Sequence, residues 1–300
     1  MSKDKSGVIF RTTLRSAVIN ILLTIFKYVA GFLGHSAAMI ADATHSLSDL
    51  ITDVIVLVFS KLKIKGKDAR HDYGRGKIET LITVIVGFII LAIGISVCYH
   101  GIAKIVRYAQ GEAIEQPGYI ALIAAIISMV IKEWAFRFTL RTAQKTKTIA
   151  VTSNAWQHRS DAFSSFVTAV CISCAIFLNE KWRVLDVVAV ILVGLFIARE
   201  AIHLIIDASN ILLDKSLPDE TEALIAKLSM EEEGVNDVRN VLTRQLGRDM
   251  AIEVYVTMSG DDTVQNAYKR TLGIEKRLKA QFGEDAYVNV HIEPTENEEQ

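Results

Sequence analysis

The stretch "IADATHSLSDLITD", residues 40–53, governs how the rest of the chain is read. It places Asp42, His45, Asp49 and Asp53 three or four residues apart, between the apolar runs "SAVINILLTIFKYVAGFLG" (16–34) and "VIVLVF" (54–59). At about 100° per residue of helix, the four side chains fall within about an 80° sector and span about 16 Å of axis. An ionisable group in a membrane span costs several kcal/mol, so it marks by default a cavity, an ion path or a paired partner. The stretch therefore implies a membrane helix with one polar stripe turned inward.

Composition agrees with a membrane protein. Hydrophobic residues make up 51% of the 300, with only three prolines. They are clustered in stretches of about 20 residues, enough to cross a hydrocarbon core. Six transmembrane helices are expected, at 11–33, 36–62, 78–106, 118–141, 149–178 and 184–209. The start "MSKDKSGVIFRTTLRS" lacks a short apolar core followed by a small-residue cleavage site, so no cleavable signal peptide is expected.

Net charge is −1, which does not suggest a nucleic-acid partner; its distribution is more informative. The second-to-third connection carries Lys61, Lys63, Lys65, Lys67, Arg70, Arg75 and Lys77, and the fourth-to-fifth carries Arg137, Arg141, Lys145 and Lys147. The opposite loops, "RYAQGEAIEQPG" and "NEKWRV", hold fewer cations and include acids. By the positive-inside bias, the basic loops and both termini face the cytoplasm. Cys98, Cys171 and Cys174 fall inside predicted spans, so they read as small packing residues and imply no disulfide framework.

Composition changes near residue 211. "LPDETEALIAKLSMEEEG" reads as an amphipathic helix with Pro218 near its start and Gly234 after its end. "VRNVLTRQL" and "MAIEVYVTM" read as strands, "TVQNAYKRTLGIEKRLKAQF" as a helix and "AYVNVHIEP" as a closing strand. The α-β-β-α-β order suggests a small α+β domain with helices on one face of a sheet. The expected organisation is a cytosolic tail at 1–10, a six-helix membrane bundle at 11–210, a cytosolic domain at 211–294 and an acidic tail at 295–300.

Within the bundle, His45 and Asp49 lie one turn apart, so imidazole and carboxylate can converge on one ion. Asp42 and Asp53 are expected to line the approaches. The fifth helix offers "NAWQHRSDAFSS", with Gln157, His158 and Asp161. Gln157 is displaced about 40° from Asp161 and His158 about 60° the other way, so either can join Asp161 in facing the second helix. Two side chains from each of two helices suit a divalent transition metal. Such ligands bind deprotonated, so metal and protons compete for them. Lys132 with Glu133, and Arg199 with Glu200, read as interfacial or interhelical ion pairs. No organic cofactor is implied. An intramembrane metalloenzyme is disfavoured, because its usual helical His-Glu-x-x-His signature requires a His-Glu pair that this sequence lacks.

The motifs "HSLSD", "HDYGRGKIET", "HRSDA" and "LLDKSLPDE" carry a resemblance, covering about residues 11–294, to the cation diffusion facilitator family, close to its bacterial zinc/iron exporters. The resemblance implies a homodimer in a bacterial cytoplasmic membrane, with a ferredoxin-like cytosolic domain that mediates dimerisation. It also implies alternating-access exchange of cytosolic metal for protons: Zn²⁺ foremost, with Mn²⁺, Fe²⁺ or Co²⁺ admissible. The implied transport site is His45, Asp49, position 157 and Asp161. Gln157 departs from the usual His or Asp there, leaving either its amide or His158 as fourth ligand. The departure also leaves room for a transport-impaired relative serving as metal sensor or heterodimer partner. A loop metal site would involve Asp68, His71 and Asp72, but Arg75 stands where a histidine is often found, favouring a structural loop fixed by Gly74 and Gly76. Arg239, Tyr255 and Tyr268 replace cytosolic ligands of some relatives, leaving His291 and Glu293 as a weak pair. Lys77 and Asp214 match an ion pair that interlocks the membrane and cytosolic parts.

Overall fold

The apolar runs fold as long helices in a computed structural model, which describes the backbone of residues 2–61, 71, 74–146, 149–247 and 249–295. Side chains are described for residues 18–52, 54–55, 71, 74–141, 155–247 and 249–295. The helices are α1 (Ser2–Leu33), α2 (Ala37–Lys61), α3 (Gly76–Ala109), α4 (Tyr119–Thr146), α5 (Ile149–Phe177) and α6 (Val184–Leu212). They stand where six spans are expected. Because α1 begins at Ser2, the residues expected to form a tail continue the first helix instead. Four stretches among the described residues are by themselves long and apolar enough to cross a membrane: Gly76–Ala109, Tyr119–Arg141, Ala155–Phe177 and Glu180–Leu212.

The chain divides into two units. The first gathers α1, α2, α4 and α5 with α3 from Val86 and α6 as far as His203. In it α1 packs on α2 and α4, α4 runs along α5, and α2 meets α5. The interior is built from small residues, among them Ala38, Ala121, Ala125 and Ala189 around Met39 and Ile172. Leu22, Phe32, Ile95 and Phe163 cover the outer faces and are exposed. Small residues let helix backbones approach where lipid supplies no hydrophobic drive between helices, while large apolar side chains face the hydrocarbon. Between α3 and α6 the approach is closer still. A Cβ on Gly94 would lie 2.8 Å from the Ala198 nitrogen, and one on Gly194 would lie 2.6 Å from Cys98 Sγ.

Asp186, in the first turn of α6, ties that helix to the start of α2. It accepts from Ser36 Oγ (2.6 Å) and from the Ala37 backbone N–H (2.9 Å), while Ser36 Oγ accepts from Met39 N–H (3.1 Å). A serine and a carboxylate thus satisfy donors that a helix start leaves without intrahelical partners, and the negative charge sits at the positive end of the α2 dipole.

The second unit holds the remainder of α3 and α6, then α7 (Asp219–Met230), β1 (Asp237–Leu246), β2 (Asp249–Met258), α8 (Val264–Phe282) and β3 (Tyr287–Pro294). This is the α-β-β-α-β order read from the sequence. α7 carries Asp219, Glu220 and Glu222 in its first turn, complementing its dipole. α8 is capped by Thr263, whose hydroxyl accepts from Asn266 N–H. β2 is central, antiparallel to β1 and parallel to β3. The parallel pairing follows because α8 provides the crossover between them. Ile225 and Ile274 from the helices close over Ile252, Val254 and Val256 of the central strand. Gly76, opening α3, approaches the β1–β2 turn so closely that a Cβ would lie 2.6 Å from the Leu246 carbonyl oxygen. Gly74 takes a left-handed φ of 78°. Only glycine meets both demands without strain, which gives "GRGK" a structural reason.

Candidate metal centre

Each helix of the α1, α2, α4 and α5 group turns a polar row inward. α1 contributes Asn20, Thr24 and Lys27, α2 contributes Asp42, His45 and Ser46, α4 contributes Ser128 and Lys132, and α5 contributes His158, Asp161 and Ser165; all are buried. Spacings of three and four residues keep each row on one helix face.

His45 and Asp49 of α2 meet Asp161 of α5. One ligand-type atom from each lies within 4.8 Å of the others. His45 Nε2 is 3.9 Å from Asp49 Oδ2 and 3.7 Å from Asp161 Oδ1. Both separations exceed hydrogen-bond length, and this buried nitrogen has no hydrogen-bond partner among the described residues. Donors about 2.1 Å from a tetrahedral ion sit about 3.4 Å apart, so at these two separations a contraction of a few tenths of an ångström would reach the spacing of ligands on one ion. Phe196 of α6 meets the His45 ring edge-on at 5.2 Å and holds its plane.

α5 presents His158 rather than Gln157 to the interior. His158 is 3% exposed whereas Gln157 is exposed. The inward stripe of α5 runs through 158, 161, 165 and 168, spacings of three and four that leave 157 at its outer margin. The reading in which the Gln157 amide completes the site is corrected on this ground. His158 feels the charges of Lys132 and Asp161 but is not in the three-residue cluster.

Two buried lysines flank the cluster. Lys27 Nζ is 2.7 Å from Asp42 Oδ2 and donates to Ser46 Oγ (3.0 Å) and Ser165 Oγ (3.1 Å). Asp42 is fully buried. It therefore belongs to a closed network joining α1, α2 and α5 rather than lining an open approach, which corrects its reading as an access group. Lys132 Nζ donates to Asp161 Oδ2 at 2.6 Å, joining α4 to α5. Lys132 is thus interhelical, while its neighbour Glu133 pairs with Arg137 one turn on, and Arg199 pairs with Glu200. Lys27 carries a signal the hydropathy reading passed over: Asn20, Thr24 and Lys27 recur at helical spacing inside an apolar run.

The remaining expected sites divide. The Asp53 side chain, Asp68 and Asp72 lie outside the described residues. His71 is exposed, and its carbonyl accepts from Gly74 N–H. His291 stacks on Tyr255 at 4.7 Å and shares a hydrogen bond with Asn289, while Glu293 pairs with Arg239 at 3.6 Å. An arginine on that carboxylate opposes a metal there. Lys77 Nζ binds Asp214 Oδ1 at 2.7 Å, and Arg244 adds a contact to Oδ2 at 3.3 Å. The hydrogen bond from Lys77, reinforced by the charges of Lys77 and Arg244, holds the Asp214 carboxyl below the usual carboxylate range. Cys98, Cys171 and Cys174 are free thiols, partly buried.

Comparison with known proteins covers both units. The model of the cation efflux transmembrane domain matches residues 13–213, and that of the cation efflux protein cytoplasmic domain matches 217–295. The manganese efflux system protein MneP of Bacillus subtilis (strain 168) is 26% identical over 98% of this chain and 99% of its own. MneS of the same organism is 30% identical over 99% of this chain and 97% of its own. Among solved structures, the zinc form of the transporter CzrB is 24% identical, covering 29% of this chain and 99% of that one, with a TM-score of 0.26. An integral membrane bundle, a matched cytoplasmic domain and full-length relatives agree: this chain belongs to the cation efflux, or cation diffusion facilitator, family of divalent metal transporters.

Proposed function

We propose that this chain exports a divalent transition-metal ion from the cytoplasm in exchange for protons, by alternating access around His45, Asp49 and Asp161. The observation that carries this reading is the buried convergence of one imidazole and two carboxylates from α2 and α5. All three must be deprotonated to ligate, so protons arriving from the far side favour release and metal arriving from the cytoplasm favours proton loss. One nitrogen and two carboxylate oxygens form a harder donor set than thiolates or several imidazoles. That chemistry, with two relatives named for manganese efflux, favours Mn²⁺ over Zn²⁺, with Fe²⁺ and Co²⁺ admissible. The chain works as a homodimer in the membrane, both termini cytoplasmic, with the Lys77–Asp214 pair interlocking its membrane and cytosolic parts.

Proteoliposome flux tests the proposal. Imposed Mn²⁺ or Zn²⁺ gradients should drive proton movement, and Asp49→Ala and Asp161→Ala should each reduce it at least about 100-fold, the upper end of what losing a mere outer-shell partner of a ligand costs. Robust flux in both variants would refute the site. Absence of flux in the wild-type protein, with metal still bound, would favour a sensor or heterodimer partner. Competition among Mn²⁺, Zn²⁺, Fe²⁺ and Co²⁺ in everted vesicles ranks the metals.

A further inference from the structure

The two buried lysines are held very differently. The Lys27 ammonium has three N–H donors and three oxygen partners, on Asp42, Ser46 and Ser165. Lys132, 1% exposed, has one hydrogen-bond acceptor among the described residues, Asp161 Oδ2. The other oxygen of that carboxylate faces His45. Lys132 also lies within the field of Asp49 and Asp42, so carboxylates other than Asp161 lie near it.

We propose that Lys132 is a tethered counter-cation of the transport site. An arriving divalent ion must displace its ammonium from Asp161, and the ammonium returns to that carboxylate when the ion leaves. The ammonium stays protonated throughout, and the exchange is one of cations at a shared oxygen pair. This rests on the reading of His45, Asp49 and Asp161 as the transport site. Two consequences follow from charge alone. Repulsion between the ammonium and the metal weakens binding and speeds release. With the ion gone, Asp161 remains compensated, so the carrier reorients with one fewer unpaired buried charge, a state that is otherwise strongly unfavourable.

The test compares full-length wild-type, Lys132→Gln, Lys132→Arg and Asp49→Ala proteins by metal titration and by proteoliposome flux, with Mn²⁺ and Zn²⁺. Lys132→Gln should bind metal about tenfold more tightly, the order of one charge-assisted hydrogen bond no longer competing, while its maximal flux falls. Lys132→Arg should keep the weaker, wild-type-like affinity. A lysine that only braces α4 against α5 predicts the opposite for Gln: unchanged or weaker binding and lower stability, and that result overturns the proposal. Should Lys132→Gln fail to fold, the wild-type protein still decides. With ¹⁵N-labelled lysine, saturating Zn²⁺ should move one buried Nζ resonance, assigned by its absence in Lys132→Arg; an unmoved resonance refutes displacement. Asp49→Ala separates the two readings. If it binds metal like wild type, the site itself is wrong. If it loses binding while Lys132→Gln leaves affinity unchanged, only the role of Lys132 falls.

Discussion

Replacing Lys27 by Met removes a buried ammonium and leaves Asp42, among the described residues, with only serine hydroxyls as donors. Asp42 accepts from Ser165 at 3.1 Å and, more distantly, from Ser164 at 3.5 Å. At the 2.7 Å separation of the pair, the Coulomb attraction is about 6 kcal/mol at an effective dielectric constant of about 20. Desolvation has already consumed much of that in the intact protein. Breaking a buried pair by removing one partner costs about 3–5 kcal/mol, because the survivor is stranded, whereas replacing both partners by apolar groups can be near neutral. Lys27→Met and Asp42→Leu should therefore each lose about 3–5 kcal/mol, and the double variant should recover most of it. The assay is reversible unfolding in mixed detergent micelles, with the four proteins forming a double-mutant cycle, and metal binding measured on the folded double variant. It should bind metal normally, since His45, Asp49 and Asp161 are untouched. Single losses below about 1 kcal/mol, or losses that simply add, would refute the buried-network assignment. A stable Asp42→Asn protein with slowed uptake would restore its reading as an access group.

The remaining predictions test other points of the chain. Gln157→Ala should leave metal affinity within about twofold of wild type, whereas His158→Ala, which empties a buried position beside Asp161, should weaken binding or stability by about 1–3 kcal/mol; titration of both variants checks this, and an effect confined to Gln157→Ala would restore the amide as ligand. Gly194→Ala should destabilise by about 1–3 kcal/mol, because its methyl would reach within 2.6 Å of Cys98 Sγ; an unchanged unfolding midpoint would contradict the α3–α6 packing. Asp214 has a lowered carboxyl pKa, so its contribution is present above the ordinary carboxylate range and disappears as pH falls through its lowered value. The pair is 38% exposed on both sides, so that contribution is at most about 1 kcal/mol; Asp214→Asn should flatten the acid limb of stability against pH and leave the alkaline side unaffected.

Hydropathy and spacing were sufficient for the helices and for the nearness of His45 to Asp49 on α2, because an i,i+4 pair converges whatever surrounds it. The C-terminal elements were legible for the same reason: alternation in β2 and the 3.6-residue period of α8 are local properties. What was not legible depends on how helices are rotated against one another. Gln157 and His158 lie about 40° and 60° on opposite sides of Asp161, a difference that sequence geometry does not rank. Burial ranks it at once. Lys27 disappears into an average over some twenty apolar residues, although its row with Asn20 and Thr24 was present to be read. The partner of Asp186, at Ser36, is 150 residues distant, and no periodicity connects them.

The contrast between the two lysines bears on how such a bundle divides its labour. A buried charge is tolerated only with a partner, so every ionisable side chain in the membrane interior must be matched, including those of a site whose occupant comes and goes. Lys27 and Asp42 are matched permanently. Three acceptors drawn from α2 and α5 around one ammonium on α1 cannot be released one at a time without exposing a charge, so this network suits a part of the protein that moves as a body. Asp161 cannot be matched that way, because a carboxylate with all its lone pairs committed would be unavailable to metal. A single hydrogen bond from Lys132 to one of its two oxygens is a partner that neutralises the charge and still yields to a divalent ion. The number of oxygen partners around a buried cation among the described residues, one against three, therefore separates the pair that holds the bundle together from the pair placed to exchange.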